Sequence, residues 1–139
     1  MFDNIIVAHD GSPGAEKAFL GALELAKRLG AGLSMVSVEE TPRFAASIDE
    51  VEEEQAAAAS LFDKVQAKAK SNAEAKGVAL KTHIVAGHPV SAIADFVQKG
   101  GYDLLVVGFM GHSRLYNRLI GSTTDRLVEI APCKVMVVK

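Results

Sequence analysis

Short apolar runs alternate with segments of helical period, and this alternation constrains the fold more than any other feature. Ile5-Ile6-Val7-Ala8 is a continuous apolar run, as are Leu104 to Val107 and Val135 to Val138. Runs of this length suit strands buried on both faces of a parallel sheet. After the first run, Asp10-Gly11-Ser12-Pro13 breaks the strand, with Ser12 suited to a helix N-cap and Pro13 to the first helical position. Ala15, Ala18, Phe19, Ala22, Leu23, Ala26 and Leu29 then fall on one helical face, and Gly30 supplies a stop.

The pattern repeats along the chain. Leu33 to Val38 reads as a second strand, and residues 39–48, with Pro42, as a loop. A long helix starts at Asp49, with Val51, Ala58, Leu61, Phe62, Val65, Ala69 and Ala73 on one side. Its acidic start, Asp49-Glu50 and Glu52-Glu53-Glu54, reads as a solvated face matched to the helix dipole rather than a metal cluster. Gly77 ends that helix, and Val78 to Val85 forms a third strand. Gly87-His88-Pro89 opens a third helix through Ile93, Phe96 and Val97. Ser122 to Ile130 is a fourth helix between the fourth and fifth strands. The order β-α-β-α-β-α-β-α-β predicts an α/β domain spanning residues 1–139, an open five-stranded parallel sheet with right-handed crossovers and helices on both faces.

At 139 residues the chain has the length of one domain, and 49% of it is hydrophobic, enough for a core. Fifteen basic against 17 acidic side chains leave a net charge of −2, which argues against a general nucleic-acid footprint. The single cysteine, Cys133, cannot form an internal disulfide and reads as a small core residue. No basic-flanked leader and no apolar run near the ~20 residues of a bilayer span is visible, so a cytoplasmic location is expected.

Ligands of open α/β sheets bind beyond the carboxyl ends of strands where the strand order reverses. Two strand ends carry unusual chemistry. One is Ala8-His9-Asp10-Gly11-Ser12, and the other is the stretch GFMGHSRLYNRLIGSTTD from Gly108. Gly108 and Gly111 allow close approach of a ligand to the backbone. Gly121 precedes Ser122, Thr123 and Thr124 at a helix start, where free N–H groups and the dipole favour an anion. Arg114 and Arg118 could bring charge to a phosphate tail, and His112 lies beside Gly111. An equally available reading needs no ligand: the glycines serve turns, and Ser122-x-x-Asp125 approaches a capping box. Neither G-x-x-x-x-G-K-[ST] nor G-x-G-x-x-G is present. His9 reads as a satisfied loop histidine or a catalytic base, His83 as lining a strand face, and His88 as a helix cap. No histidine or cysteine grouping has metal-ligand spacing.

The pattern Gly108-x2-Gly111-x9-Gly121-Ser122 resembles the nucleotide-binding signature of the universal stress protein family, in its ATP-binding branch. IIVAHDGS resembles that family's first strand and aspartate turn, and Gly87-His88-Pro89 its third helix entrance. YDLLVVG resembles its fourth strand, and APCKVMVV its last. The resemblance implies a Rossmann-like sheet of order 3-2-1-4-5, of the adenine nucleotide alpha hydrolase-like kind. It also implies ATP with Mg2+. The adenine would lie near Ala8, Asp10 and Val38, and the ribose and phosphates along Gly108, Gly111, His112, Gly121, Ser122 and Thr123. A regulatory role in stress response and a homodimer are implied too. The family order puts Val135-Met136-Val137-Val138 at a sheet edge, where exposed apolar strands invite pairing. The sequence departs from the family's usual residue types at His9, Phe109 and Lys134. Catalytic residues are expected to be none, with slow hydrolysis at most. A dedicated ATPase or phosphotransferase using Asp10, and a nucleotide-free dimeric interaction module, are the alternatives.

Overall fold

In a computed structural model the chain forms five strands and four helices, and the structure describes residues 1–40, 47–110 and 120–139. The elements are β1 (Asn4–Ala8), α1 (Pro13–Leu29), β2 (Gly32–Glu40), α2 (Ile48–Ala75), β3 (Leu80–Gly87), α3 (Pro89–Gly100), β4 (Leu104–Gly108), α4 (Ser122–Ile130) and β5 (Lys134–Val138). The strands form one sheet in the order β3-β2-β1-β4-β5, and every pairing is parallel. The α/β reading and the strand order expected from the resemblance both hold.

Alternation along the central strands sorts the core into two faces. Ile5, Val7, Leu104 and Val106 pack with Ala18, Phe19, Ala22 and Leu23 of α1 and Ala69 and Ala73 of α2. Ile6, Val36, Leu105 and Val107 pack with Val90, Ile93 and Val97 of α3 and Leu127 of α4. Neighbouring residues of a strand point to opposite faces, so a run with no polar residue needs a cover on both sides. The chain winds outward through α1 and α2 on one face, then returns to the middle and winds the other way through α3 and α4. The reversal falls between β1 and β4.

The local signals at helix ends act as read. Ser12 caps α1 by accepting the Ala15 N–H at 3.2 Å, and Gly30 and Gly101 close α1 and α3 in the left-handed conformation. His88 caps α3, its Nδ1 accepting the Val90 N–H at 3.3 Å.

Several boundaries shift. β2 continues two residues beyond Val38, because Glu39 and Glu40 pair with Ala86 and Gly87 of β3. β3 begins at Leu80, and Gly87 is its last residue rather than the opening of α3. Ser47 starts α2 through a reciprocal capping box with Glu50, one residue earlier than the acidic run suggests. Only Phe62, Ala69 and Ala73 of α2 are buried, and Leu61 is exposed at the surface of the helix. No helix among the described residues is long and apolar enough to cross a membrane.

Candidate functional site

The carboxyl ends of β1 and β4 open into a crevice of about 540 Å³, within the range of small-molecule sites. Ala8, Asp10, Val38, Gly108, Gly121, Ser122 and Thr123 all line it. Seven of the residues singled out from the sequence therefore meet in one place. Gly111, His112 and Arg114, together with Arg118, lie outside the described residues.

One wall is the turn after β1. His9 is clamped at both backbone positions, its N–H donating to the Val36 carbonyl at 2.9 Å and its carbonyl accepting the Ser37 hydroxyl at 2.7 Å. Asp10 Oδ1 accepts the Ser12 N–H at 2.9 Å, the local bond that lets aspartate open a turn. Gly11 takes φ +84°, a conformation costly for a side-chain-bearing residue. The His9 side chain is 2% exposed. Its Nδ1 accepts the Gly11 N–H at 3.0 Å, and its Nε2 lies 3.1 Å from Glu16 Oε2. Both ring nitrogens are thus engaged, which favours the satisfied histidine over the catalytic base.

The opposite wall is the start of α4. Its N-cap is Gly121, with no side-chain cap, so Ser122 is the first helical residue and the Ser122–Asp125 capping box does not form. The first N–H groups of a helix have no intrahelical partner, and no bond among the described residues takes those of Ser122, Thr123 and Thr124. Three N–H donors and the positive end of the helix dipole meet at this spot.

Two contacts hold this wall to the sheet. Thr124 Oγ1 donates to the Gly108 carbonyl at 2.6 Å. Phe109 bridges further, its carbonyl accepting the Gly121 N–H and its N–H donating to the Val138 carbonyl, both at 2.9 Å. Lys139 Nζ sits 5.3 Å from the centre of the Phe109 ring. The sequence marks Phe109 only as a departure from the family pattern, whereas its backbone joins β5 to the N-cap of α4.

Gly108 proves to serve packing as well as lining. A Cβ there would stand 2.8 Å from the Gly14 carbonyl carbon and oxygen. Gly14 in turn presents its bare Cα to the Met110 carbonyl oxygen. The first turn of α1 and the end of β4 thus approach without side chains between them.

The charge along the crevice is uneven. Asp10, Glu39, Glu40 and Glu54 line it, and no lysine or arginine does so among the described residues. Glu39 and Glu40 end β2, on the far side of β1 from α4. In the sequence residues 39–48 have the look of a loop, and only the pairing of Glu39 and Glu40 with β3 brings these carboxylates to the crevice. No group of three or more histidine, cysteine, aspartate or glutamate side chains among the described residues is placed to hold a metal ion. Cys133 is half-buried, and burial pushes its thiol above the usual range, which leaves it a poor nucleophile at neutral pH.

The family model described as the universal stress protein family matches residues 1–139. The chain belongs to the universal stress protein family. It is 30% identical to Universal stress protein YxiE of Bacillus subtilis (strain 168), over the whole of both chains. Universal stress protein UspA from Lactobacillus plantarum is similar in structure, with a TM-score of 0.93 at 28% identity, covering 99% of this chain and 98% of that one. A universal stress protein solved in complex with cAMP is similar with a TM-score of 0.76 at 25% identity, over 99% of this chain and 97% of the other. Membership in this family agrees with the glycine-serine pattern and the aspartate turn, whose described members Gly108, Gly121, Ser122 and Asp10 line the crevice.

Proposed function

We propose that the protein binds an adenine nucleotide in this crevice, ATP above all, and acts as a nucleotide-dependent regulatory dimer in stress response. The observation that carries the reading is the start of α4. Three N–H groups with no described partner, a glycine N-cap and two exposed hydroxyls converge on the mouth of a switch-point crevice. The relative in complex with cAMP supports an adenine nucleotide as the ligand class.

The crevice also gives the ligand a direction. Phosphates are repelled by Glu39, Glu40 and Glu54 and drawn to the start of α4. The base then takes the end lined by Val36, Val38, Ala58 and Leu61. Arg114, outside the described residues, remains the candidate cation for the phosphate tail. A magnesium ion would be held chiefly by the phosphates and water, since magnesium takes few protein ligands at nucleotide sites. The reading is one of binding, with slow hydrolysis at most.

Nucleotide is expected to co-purify. Denatured protein should release ATP, ADP or AMP, identified by chromatography of the supernatant, and calorimetry on stripped protein should show binding. Absence of nucleotide from the supernatant together with absence of heat on titration would sink the reading.

The dimer is proposed through β5. This strand is at the edge of the sheet, with Met136 exposed on it and Val128 and Ile130 exposed on the adjoining α4. An edge that is apolar and unpaired favours a second strand. Sedimentation equilibrium should give a dimer at micromolar concentration, and a monomer there counts against the proposal.

A further inference from the structure

We infer that His9 is a positioning residue, whose ring holds the Asp10-Gly11-Ser12 turn in the shape that forms the crevice wall. The consequence for binding rests on the nucleotide reading above, but the geometry does not.

The Gly11 N–H can only donate, so the Nδ1 it reaches at 3.0 Å must be an acceptor without a proton. The ring proton is therefore on Nε2, which donates to Glu16 Oε2 at 3.1 Å. The contact is a hydrogen bond from a neutral ring to a carboxylate rather than an ion pair. The two nitrogens have separate tasks. Nδ1 fixes Gly11 at φ +84°, between the residue that lines the crevice and the residue that caps α1. Nε2 joins the turn to α1 through Glu16, whose Oε1 lies 3.6 Å from Lys68 Nζ of α2. That helix supplies Ala58, Leu61 and Phe62 to the crevice. One buried ring thus ties the turn after β1 to α1 beside the opening. Its backbone is held independently by Val36 and Ser37, so the ring is free of any duty in the strand ladder.

Two substitutions separate these tasks. In His9→Asn, the side-chain oxygen sits near the place of Nδ1 and keeps an acceptor for Gly11, while the bond to Glu16 is lost. In His9→Gln, the amide reaches toward Glu16 and leaves the Gly11 N–H without its acceptor. The Gly11 amide of the nucleotide-free protein should exchange with solvent about tenfold faster in His9→Gln, and within about threefold of the natural rate in His9→Asn. ATP affinity, measured by calorimetry, should follow the same order, falling about tenfold only in His9→Gln. Equal Gly11 exchange in the two variants overturns the inference. If the unsubstituted protein binds no ATP, the nucleotide reading falls while amide exchange still decides the bracing role. Should a variant fail to fold, nitrogen NMR of the unsubstituted protein decides instead. The inference requires the Nε2–H tautomer with Nδ1 accepting, and a proton on Nδ1 at neutral pH overturns it.

Discussion

Gly108→Ala should lower the stability of the fold by about 3 kcal/mol, because the new methyl has nowhere to go. An ideal Cβ at this position stands 2.8 Å from the Gly14 carbonyl carbon and oxygen and 3.0 Å from the Ala15 nitrogen. All three are backbone atoms in the first turn of α1, so no side chain can swing aside. Relief requires α1 and the end of β4 to move apart. The same movement shifts the Thr124 hydroxyl that bonds the Gly108 carbonyl, and with it the start of α4. Urea unfolding should show the midpoint fall with the slope little changed. Gly30→Ala is the control, since its added Cβ meets nothing within 4 Å and only its φ of +65° is strained. That change should cost roughly 1 kcal/mol. A Gly108→Ala protein no less stable than Gly30→Ala would refute the close-approach account.

Ser122→Pro should have the opposite profile, with intact stability and lost binding. Ser122 is the first helical residue of α4, where proline is favoured and its missing N–H breaks no helical bond. Gly121 before it has φ −67° and ψ 146°, the extended backbone that a following proline prefers. The helix should therefore form, with stability within about 0.5 kcal/mol of the natural protein. ATP affinity should fall about tenfold or more, because one N–H donor at the helix start has been replaced by a ring. Ser122→Ala removes the hydroxyl and keeps the N–H, so the difference between the two variants isolates the backbone donor. Calorimetry and thermal unfolding on the same preparations provide both readings. Equal affinities for Ser122→Pro and the natural protein would exclude this helix start as the phosphate end.

The two changes show how unevenly the site was legible. Gly121 and Ser122 could be read directly, because a glycine followed by hydroxyl residues at a helix start has a local physical meaning. The choice between two parts could not: Ser122-x-x-Asp125 allowed a capping box beside the open helix start, and the helix starts at Ser122 with Gly121 as its N-cap, which leaves the N–H groups open. Gly108 was legible as a place needing a bare backbone, but not as the partner of Gly14. Glu39 and Glu40 were hidden for another reason. Polar residues at the end of an apolar run look like a loop, and only their pairing with Ala86 and Gly87 extends the strand and carries them to the crevice.

His9 is the sharpest case. Its position before Asp10 could be seen in the chain, whereas the direction of its ring could not, since a histidine in a turn can face solvent, ligand or core. Burial between the sheet and α1 selected one rotamer, and that rotamer reaches Gly11 with one nitrogen and Glu16 with the other.

Read along the chain alone, apolar periodicity and helix punctuation settle the element order and the parallel sheet, because these depend on residues within a few positions of one another, whereas Leu29 of α1 and Leu61 of α2, on the expected apolar faces, are exposed. The choice of neighbours across space belongs to the folded molecule. Which bare glycine meets which backbone, which carboxylates share a crevice and where a buried ring points all depend on packing between segments far apart in sequence, and close packing admits one arrangement that no local pattern encodes.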